Sequence, residues 1–251
     1  MSFIGTGKIK IAPYSSGASF GARKFRDVGN ASIFEYSFSE EKKELKNFQD
    51  TSGGLAASVS KIDKVEGKID FRKISAANLA LALWGSTSTL NTTAITGESH
   101  VINASAFIPT SRLINTSVAP VVKKGATVLT GSGTDYTVSV GGITIADTIV
   151  AAGVVDGDTI TIDYTPKAST DVQALISAAP DISLFFEGTN LVDSKAALAR
   201  VYKAKLGVAS NISMIGEDFA TLSVTFTITK DETVSSAGGT LSQFLKLELE
   251  S

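Results

Sequence analysis

The chain has no cysteine, one histidine, one tryptophan and five prolines in 251 residues. Missing thiols exclude disulfides, thiolate metal sites and cysteine nucleophiles together. Charge of either sign is sparse and nearly balanced, with 23 basic against 25 acidic residues and a formal net charge of −2. Proteins that grip phosphate backbones carry a basic excess, so tight nucleic-acid binding is not expected. Long apolar runs are also missing. The most apolar uncharged stretch, ISAANLALALW, falls far short of the roughly 20 residues that a spanning helix needs. The opening MSFIGTGKIKIAPYSS lacks the apolar centre of a secretory signal, so we expect a chain made in the cytoplasm with no membrane partner. At 43% hydrophobic content general disorder is excluded, and the length suffices for one large all-β domain or two small ones.

What is present is mainly strand pattern. In TLSVTFTIT, Leu222, Val224, Phe226 and Ile228 alternate with Ser223, Thr225 and Thr227, the signature of a half-buried strand. In SIFEYSFSE, Phe34, Tyr36 and Phe38 share a face. In KVEGKIDFR, Val65, Ile69 and Phe71 oppose the row Lys64, Glu66, Lys68, Asp70 and Arg72. Between these two strands, EEKKELKNFQDTSGG shows no clean periodicity and reads as a long exposed loop. SAANLALALWG predicts one short helix, about ten residues, with Ser75 as N-cap and Gly85 as a left-handed stop. From about Thr87 to Thr116 the chain is rich in Ser, Thr and Asn and reads as a linker. The short β-branched runs that follow, broken by Gly-Ser-Gly, Gly-Gly and Asp-Gly-Asp, predict a small antiparallel β module. STDVQALISAAP reads as a turn or short helix, after which strands resume and end in LKLEL, where Leu245, Leu247 and Leu249 alternate with Lys246 and Glu248.

The candidate chemical sites are weak. His100 lies in the polar stretch with no carboxylate or serine constellation in its sequence neighbourhood, and reads as structural. GTGK at Gly5 to Lys8 fails the phosphate-loop spacing. Asp156, Asp158 and Asp163 lack the calcium-loop pattern, and a turn at Asp156-Gly157 is the simpler reading. The pair Glu217-Asp218 could divide acid and base roles. However, no glycine-lined cleft or aromatic sugar platform accompanies it in sequence. We expect no catalytic residue, cofactor or metal. Five Asn-x-Ser/Thr sequons reflect a Ser/Thr-rich composition.

Several segments taken in order resemble the bacteriophage tail tube (major tail) proteins. They are FSEEKKELKNFQDTSGG between two long strands, ISAANLALALWG with a polar stretch ending TGESH, GTDYTVSVGGITI, DGDTITIDYT, LFFEGTN, MIGEDFATLSVTFTITKD and the closing GTLSQFLKLELE. The resemblance implies a mainly β fold, a tube-forming β-sandwich flanked by a helix. Hexameric rings would close their inner sheets into a continuous barrel and stack into a tube for viral DNA. It also implies that Glu217 and Asp218 are structural or interfacial. The expected partners are other copies of the chain, a tape measure protein, baseplate or tip proteins and a terminator, in a virion tail. DNA would pass without specific binding. A tube of a contractile injection or secretion system is the nearest alternative, and an immunoglobulin-like surface adhesin is one from a different class. A carbohydrate-active enzyme would require two carboxylates converging in a cleft.

On this reading residues 1–90 and 175–251 form a discontinuous tube domain. Residues 95–170 form an inserted β module that faces outward, an arrangement favouring a non-contractile tail. The 40–54 loop is the expected ring-stacking contact, through Glu41, Lys42, Lys43, Glu44, Leu45, Lys46, Phe48 and Asp50. The row Lys64, Glu66, Lys68, Asp70 and Arg72 is the expected lumen face.

Overall fold

The computed structural model describes residues 4–48, 53–103, 105–131, 133–151, 153–234 and 241–251. In chain order the first elements are β1 (Gly5–Pro13), a 3-10 turn (Phe20–Ala22), β2 (Arg26–Asp27), β3 (Ala31–Lys46), β4 (Leu55–Phe71) and α1 (Ala76–Ala82). Next come β5 (Ser86–Leu90), β6 (Ile95–Val101), β7 (Phe107–Pro109), β8 (Val121–Lys124), β9 (Thr127–Val128), β10 (Tyr136–Ser139), β11 (Gly142–Ile145), β12 (Thr159–Tyr164) and β13 (Ser169–Gln173). The last are β14 (Asp181–Asn190), β15 (Ala196–Leu206), β16 (Leu222–Ile228) and β17 (Leu245–Leu249). The fold is mainly β, with one α-helix among the described residues. The chain divides into two compact units, Met1–Thr87 with Val172–Ser251, and Ser88–Asp171.

The first unit is built on one eight-stranded antiparallel sheet in the order β2-β1-β14-β15-β16-β4-β3, with β17 also paired to β15. The alternation read in residues 222–228 is realised: Leu222, Val224, Phe226 and Ile228 are buried, each within 4% of full burial. They join Ile9, Ile11, Ile69, Phe71, Leu184 and Val201 in one core. The sheet curls on itself, because Phe34 on the β3 edge meets Phe186 of β14 at a ring-centroid distance of 5.6 Å although the two strands do not pair. Gly67 makes this curl possible. A Cβ there would lie 2.2 Å from Phe226 Cζ and 2.6 Å from the Glu35 carbonyl oxygen, so only glycine lets the ring lie against the β4 backbone.

Helix α1 starts where the cap was expected, with Ser75 Oγ accepting from the Asn78 N–H at 3.2 Å. It is shorter than expected, and the left-handed residue at its end is Trp84 (φ 49°) rather than Gly85. Gly85 serves another purpose, since a Cβ would sit 2.1 Å from the Gln173 carbonyl oxygen.

Two expected loops are strands. Residues 40–46 and 55–62 pair along their length as the distal part of the β3–β4 hairpin, so the first seven residues of the 40–54 segment are ribbon and not loop. The pattern was invisible because neither face of this ribbon is buried, and alternation appears only when one face is. Likewise the Ser/Thr-rich stretch read as a linker contains β5, β6 and β7. Residues 169–173, read as turn or helix, form β13 and pair with β5 where the chain leaves and re-enters the first unit.

The second unit packs a three-stranded sheet (β10-β11-β7) and a four-stranded sheet (β6-β12-β8-β9) around Ile102, Ile114, Val122, Ile143, Ile145, Ile160 and Ile162. Asp135 is buried there. It accepts backbone N–H bonds from Thr130, Val150 and Ala151, satisfying a carboxylate that burial alone would penalise.

Candidate functional site

The most distinctive surface is the hairpin arm. Strand β16 pairs with β4 only as far as Glu66, opposite Thr227, and beyond this point β3 and β4 have only each other among the described residues. Two-stranded ribbons are at best marginally stable in water. This one also exposes Phe38, Leu45, Leu55, Val59 and Ile62, with Phe48 at its tip 84% exposed. Leu45 lies opposite Ala57 and Lys43 opposite Val59, which places apolar side chains between charged ones. Of the residues expected to stack rings, Glu41, Lys42, Lys43, Glu44, Leu45 and Lys46 lie in β3 and Phe48 follows it, while Asp50 lies outside the described residues. The charges are already paired inside the arm. Lys61 reaches Glu41 at 2.8 Å, Lys43 reaches Glu41 at 3.6 Å and Lys42 reaches Glu44 at 2.6 Å. Such exposed pairs contribute about 0–1 kcal/mol each, leaving the apolar side chains as the arm's larger reserve of contact energy.

The row Lys64, Glu66, Lys68, Asp70 and Arg72 faces away from the core, beside Ser223, Thr225 and Thr227 on β16 and Glu35 and Ser37 on β3. It is not uniformly exposed. Asp70 is buried and receives Lys68 Nζ at 3.1 Å, so it is not an open surface carboxylate, and Arg72 binds Ser32 Oγ and the Phe219 carbonyl. Glu66 and Lys64 remain exposed.

The pair Glu217-Asp218 sits in an exposed irregular segment ahead of β16. Its apolar neighbours are unusual: Met214, Ile215 and Phe219 are 87%, 96% and 92% exposed. On the core side the sheet leaves an open cleft of about 830 Å³ between β3 on one wall and β1, β14, β15 and β17 on the other. Its floor is small, with Gly7, Ala197 and Ala199, and Phe186 lies so close to Gly7 and Gly188 that a Cβ on either would meet its ring at 2.7 and 2.4 Å. Leu247 and Leu249, the apolar side of the closing strand, are exposed along it rather than buried.

Two polar clusters were not legible in the sequence. Arg23 and Asp231 form a buried ion pair at 2.8 Å, with Arg23 also donating to Ser183 and Tyr202 and stacking near Tyr14 and Phe20. Burial works to raise the Asp231 carboxyl, and hydrogen bonds from Arg23, Thr233 and Tyr14 outweigh it, holding it below the usual carboxylate range. In the second unit Glu98 lies 2.9 Å from His100 Nε2 and accepts from Ser111 Oγ and Tyr164 Oη, each at 2.7 Å. His100 therefore does have a carboxylate beside it, Glu98 two residues earlier on β6, and that carboxylate in turn holds Ser111. Yet the carboxylate binds both the imidazole and the hydroxyl, so the imidazole is not placed between them as a nucleophile's base would be. The cluster ties β6 to β12 and to the 110–112 turn. Asp158 and Asp163 each pair with a lysine, Lys124 and Lys123, at 2.6 Å. No group of three His, Cys, Asp or Glu side chains among the described residues could hold a metal ion, and no described helix is long and apolar enough to cross a membrane.

These surfaces define a two-unit antiparallel β protein whose largest unmet contacts are apolar strand edges and loops. The chain belongs to the family described as protein of unknown function UCP028589, whose model matches residues 2–248. No curated protein matches it.

Proposed function

We propose that this chain is a tail tube subunit of a bacteriophage virion, a structural protein without catalytic chemistry that polymerises as stacked rings, hexameric by its family resemblance, around a conduit for DNA. The observation that carries the reading is the uncovered β3–β4 arm: a 16- and 17-residue hairpin whose distal part has no third strand among the described residues and exposes six large apolar side chains. A ribbon of this kind is ordered best against another copy, and the contact repeats around every ring, so many weak interactions act together. Strand β3 is also a free sheet edge, which suits lateral closure. The outward carpet of Ser223, Thr225, Thr227, Glu66 and Lys64 suits a wet lumen, where mixed charge and hydroxyls hold no phosphate strongly. The second unit, in this reading, faces outward, and a tape measure, baseplate or tip and terminator proteins meet the tube ends. Sedimentation velocity of the purified protein across a concentration series tests polymerisation: very large species should appear above a threshold, and a monomer at every concentration would remove the reading.

A further inference from the structure

The exposed loop before β16 and the open cleft beside β3 are both unpartnered, and they are complementary. The loop presents Met214, Ile215 and Phe219, nearly fully exposed, with Glu217 and Asp218 between them. The cleft presents an apolar wall of Phe34 and Tyr36, a floor of Gly7, Ala197 and Ala199, and a second wall of Leu247 and Leu249. It also holds a hydroxyl in need of a partner: Tyr36 Oη is buried with no hydrogen-bond partner among the described residues. Burial pushes this phenol's pKa up, so it stays protonated and offers a donor. Leaving such a group unpaired is costly, and a carboxylate acceptor would relieve it.

We infer that the 213–219 loop of one copy seats in the β3–β17 cleft of the next, Ile215 and Phe219 entering the apolar groove and Glu217 or Asp218 accepting from Tyr36. The inference rests on the tube reading and names the side-to-side contact within it. A copy cannot satisfy its own cleft. Its loop is held by Arg72, which binds the Phe219 carbonyl and Ser32 Oγ at the rim of the cleft, and Ile215 and Phe219 are left 96% and 92% exposed there, so neither fills the cleft of its own copy. Loop and cleft are different patches, which makes a contact between them heterologous, and heterologous contacts generate rings or filaments rather than isolated dimers. Size agrees as well. Three large side chains bring on the order of 500 Å² to bury, most of the roughly 800 Å² per partner of a standard interface.

The test uses two full-length variants. Met214→Ser with Ile215→Ser and Phe219→Ser removes the peg and keeps the cleft; Leu247→Glu with Leu249→Glu spoils the cleft and keeps the peg. All five positions are exposed, so each variant should remain folded by circular dichroism and thermal melting. Each alone should fail to form rings, with self-association weakened ~30-fold or more. Mixed one to one, they retain a single intact peg and a single intact cleft and should form a heterodimer that does not propagate. Because the chain has no cysteine, a copy bearing Ile215→Cys and a copy bearing Leu247→Cys should cross-link to each other under oxidation. Normal rings or tubes from the peg variant would overturn the inference and leave the tube reading standing. Heterodimers from the mixture, with no tubes from the unaltered protein, would support the contact and overturn the tube. Cross-linking within a doubly substituted single copy, or no heterodimer from folded variants, would also overturn it.

Discussion

Arg23 and Asp231 lie 208 positions apart in the chain and meet in a buried ion pair at 2.8 Å. The pair fixes the segment between β1 and β2 to the turn after β16, with Tyr14 and Ser183 completing the guanidinium and carboxylate contacts. Replacing Arg23 with Ala should destabilise the protein by about 3–5 kcal/mol, because it strands a buried carboxylate. Arg23→Met with Asp231→Leu should recover most of that loss, as measured by urea denaturation. The Asp231 carboxyl is depressed in the folded state, so its stabilising contribution is fully present above the unfolded value near ~3.9 and is lost as pH falls through the lower folded value. Stability of the unaltered protein should therefore fall below about pH 4, and the Met/Leu variant should fall less steeply there.

Gly67 and Phe226 make a second dependence that stability measurements can read. Gly67→Ala should cost roughly 1–3 kcal/mol, since the added methyl meets both the Phe226 ring and the Glu35 carbonyl. Adding Phe226→Leu should recover part of the loss, because it clears the ring and leaves only the carbonyl contact. If the double variant is as unstable as the sum of the single ones, the ring is not what excludes a side chain at this position.

The arm should be dispensable for folding and required for assembly. Glu41 and Lys61 are cross-strand partners, so residues 42–60 can be replaced by a two-residue Asn-Gly turn between them. The shortened protein should keep its melting temperature within a few degrees and fail to polymerise. In the intact protein, amides of residues 40–48 and 53–62 should exchange quickly in the free subunit and slowly after assembly. Tubes of normal length from the shortened protein would show that stacking does not use the arm.

The second unit should be removable. β5 and β13 pair where the chain crosses between units, so a short Gly-Ser linker in place of residues 88–171 spans a small gap. Because the unit has its own core of isoleucines, the first unit loses no core side chain with it. Electron micrographs of the truncated protein should show tubes of reduced outer diameter, and loss of all assembly would place the unit in the ring contacts.

What could be read in the sequence follows from which faces are buried. Residues 222–228 alternate because one side meets the core, and α1 declares itself through Ser75 and its Ala-Leu body. Residues 40–46 and 55–62 carry no such signal, since both faces of the arm are wet and burial never sorts them. The same holds for β5 and β6, short strands with polar exposed positions in a Ser/Thr-rich stretch, while β7, with Ile108 buried between Phe107 and Pro109, is too short at three residues to show a period. The cleft depends on Gly7, Gly188 and Phe186 meeting across paired strands, and Arg23–Asp231 on a contact 208 residues apart. Local pattern carries neither. Exposure of Met214, Ile215 and Phe219 was equally hidden, because an apolar residue in a loop looks the same in sequence whether it is covered or bare.

Negative-stain electron microscopy of the purified protein, at the concentrations where large species sediment, decides whether this chain builds a tube. Hollow filaments of uniform width with a regular axial repeat should appear, with end-on views showing closed rings around a stain-filled lumen. Solid fibrils, irregular aggregates or discrete particles without a lumen would contradict the tube reading.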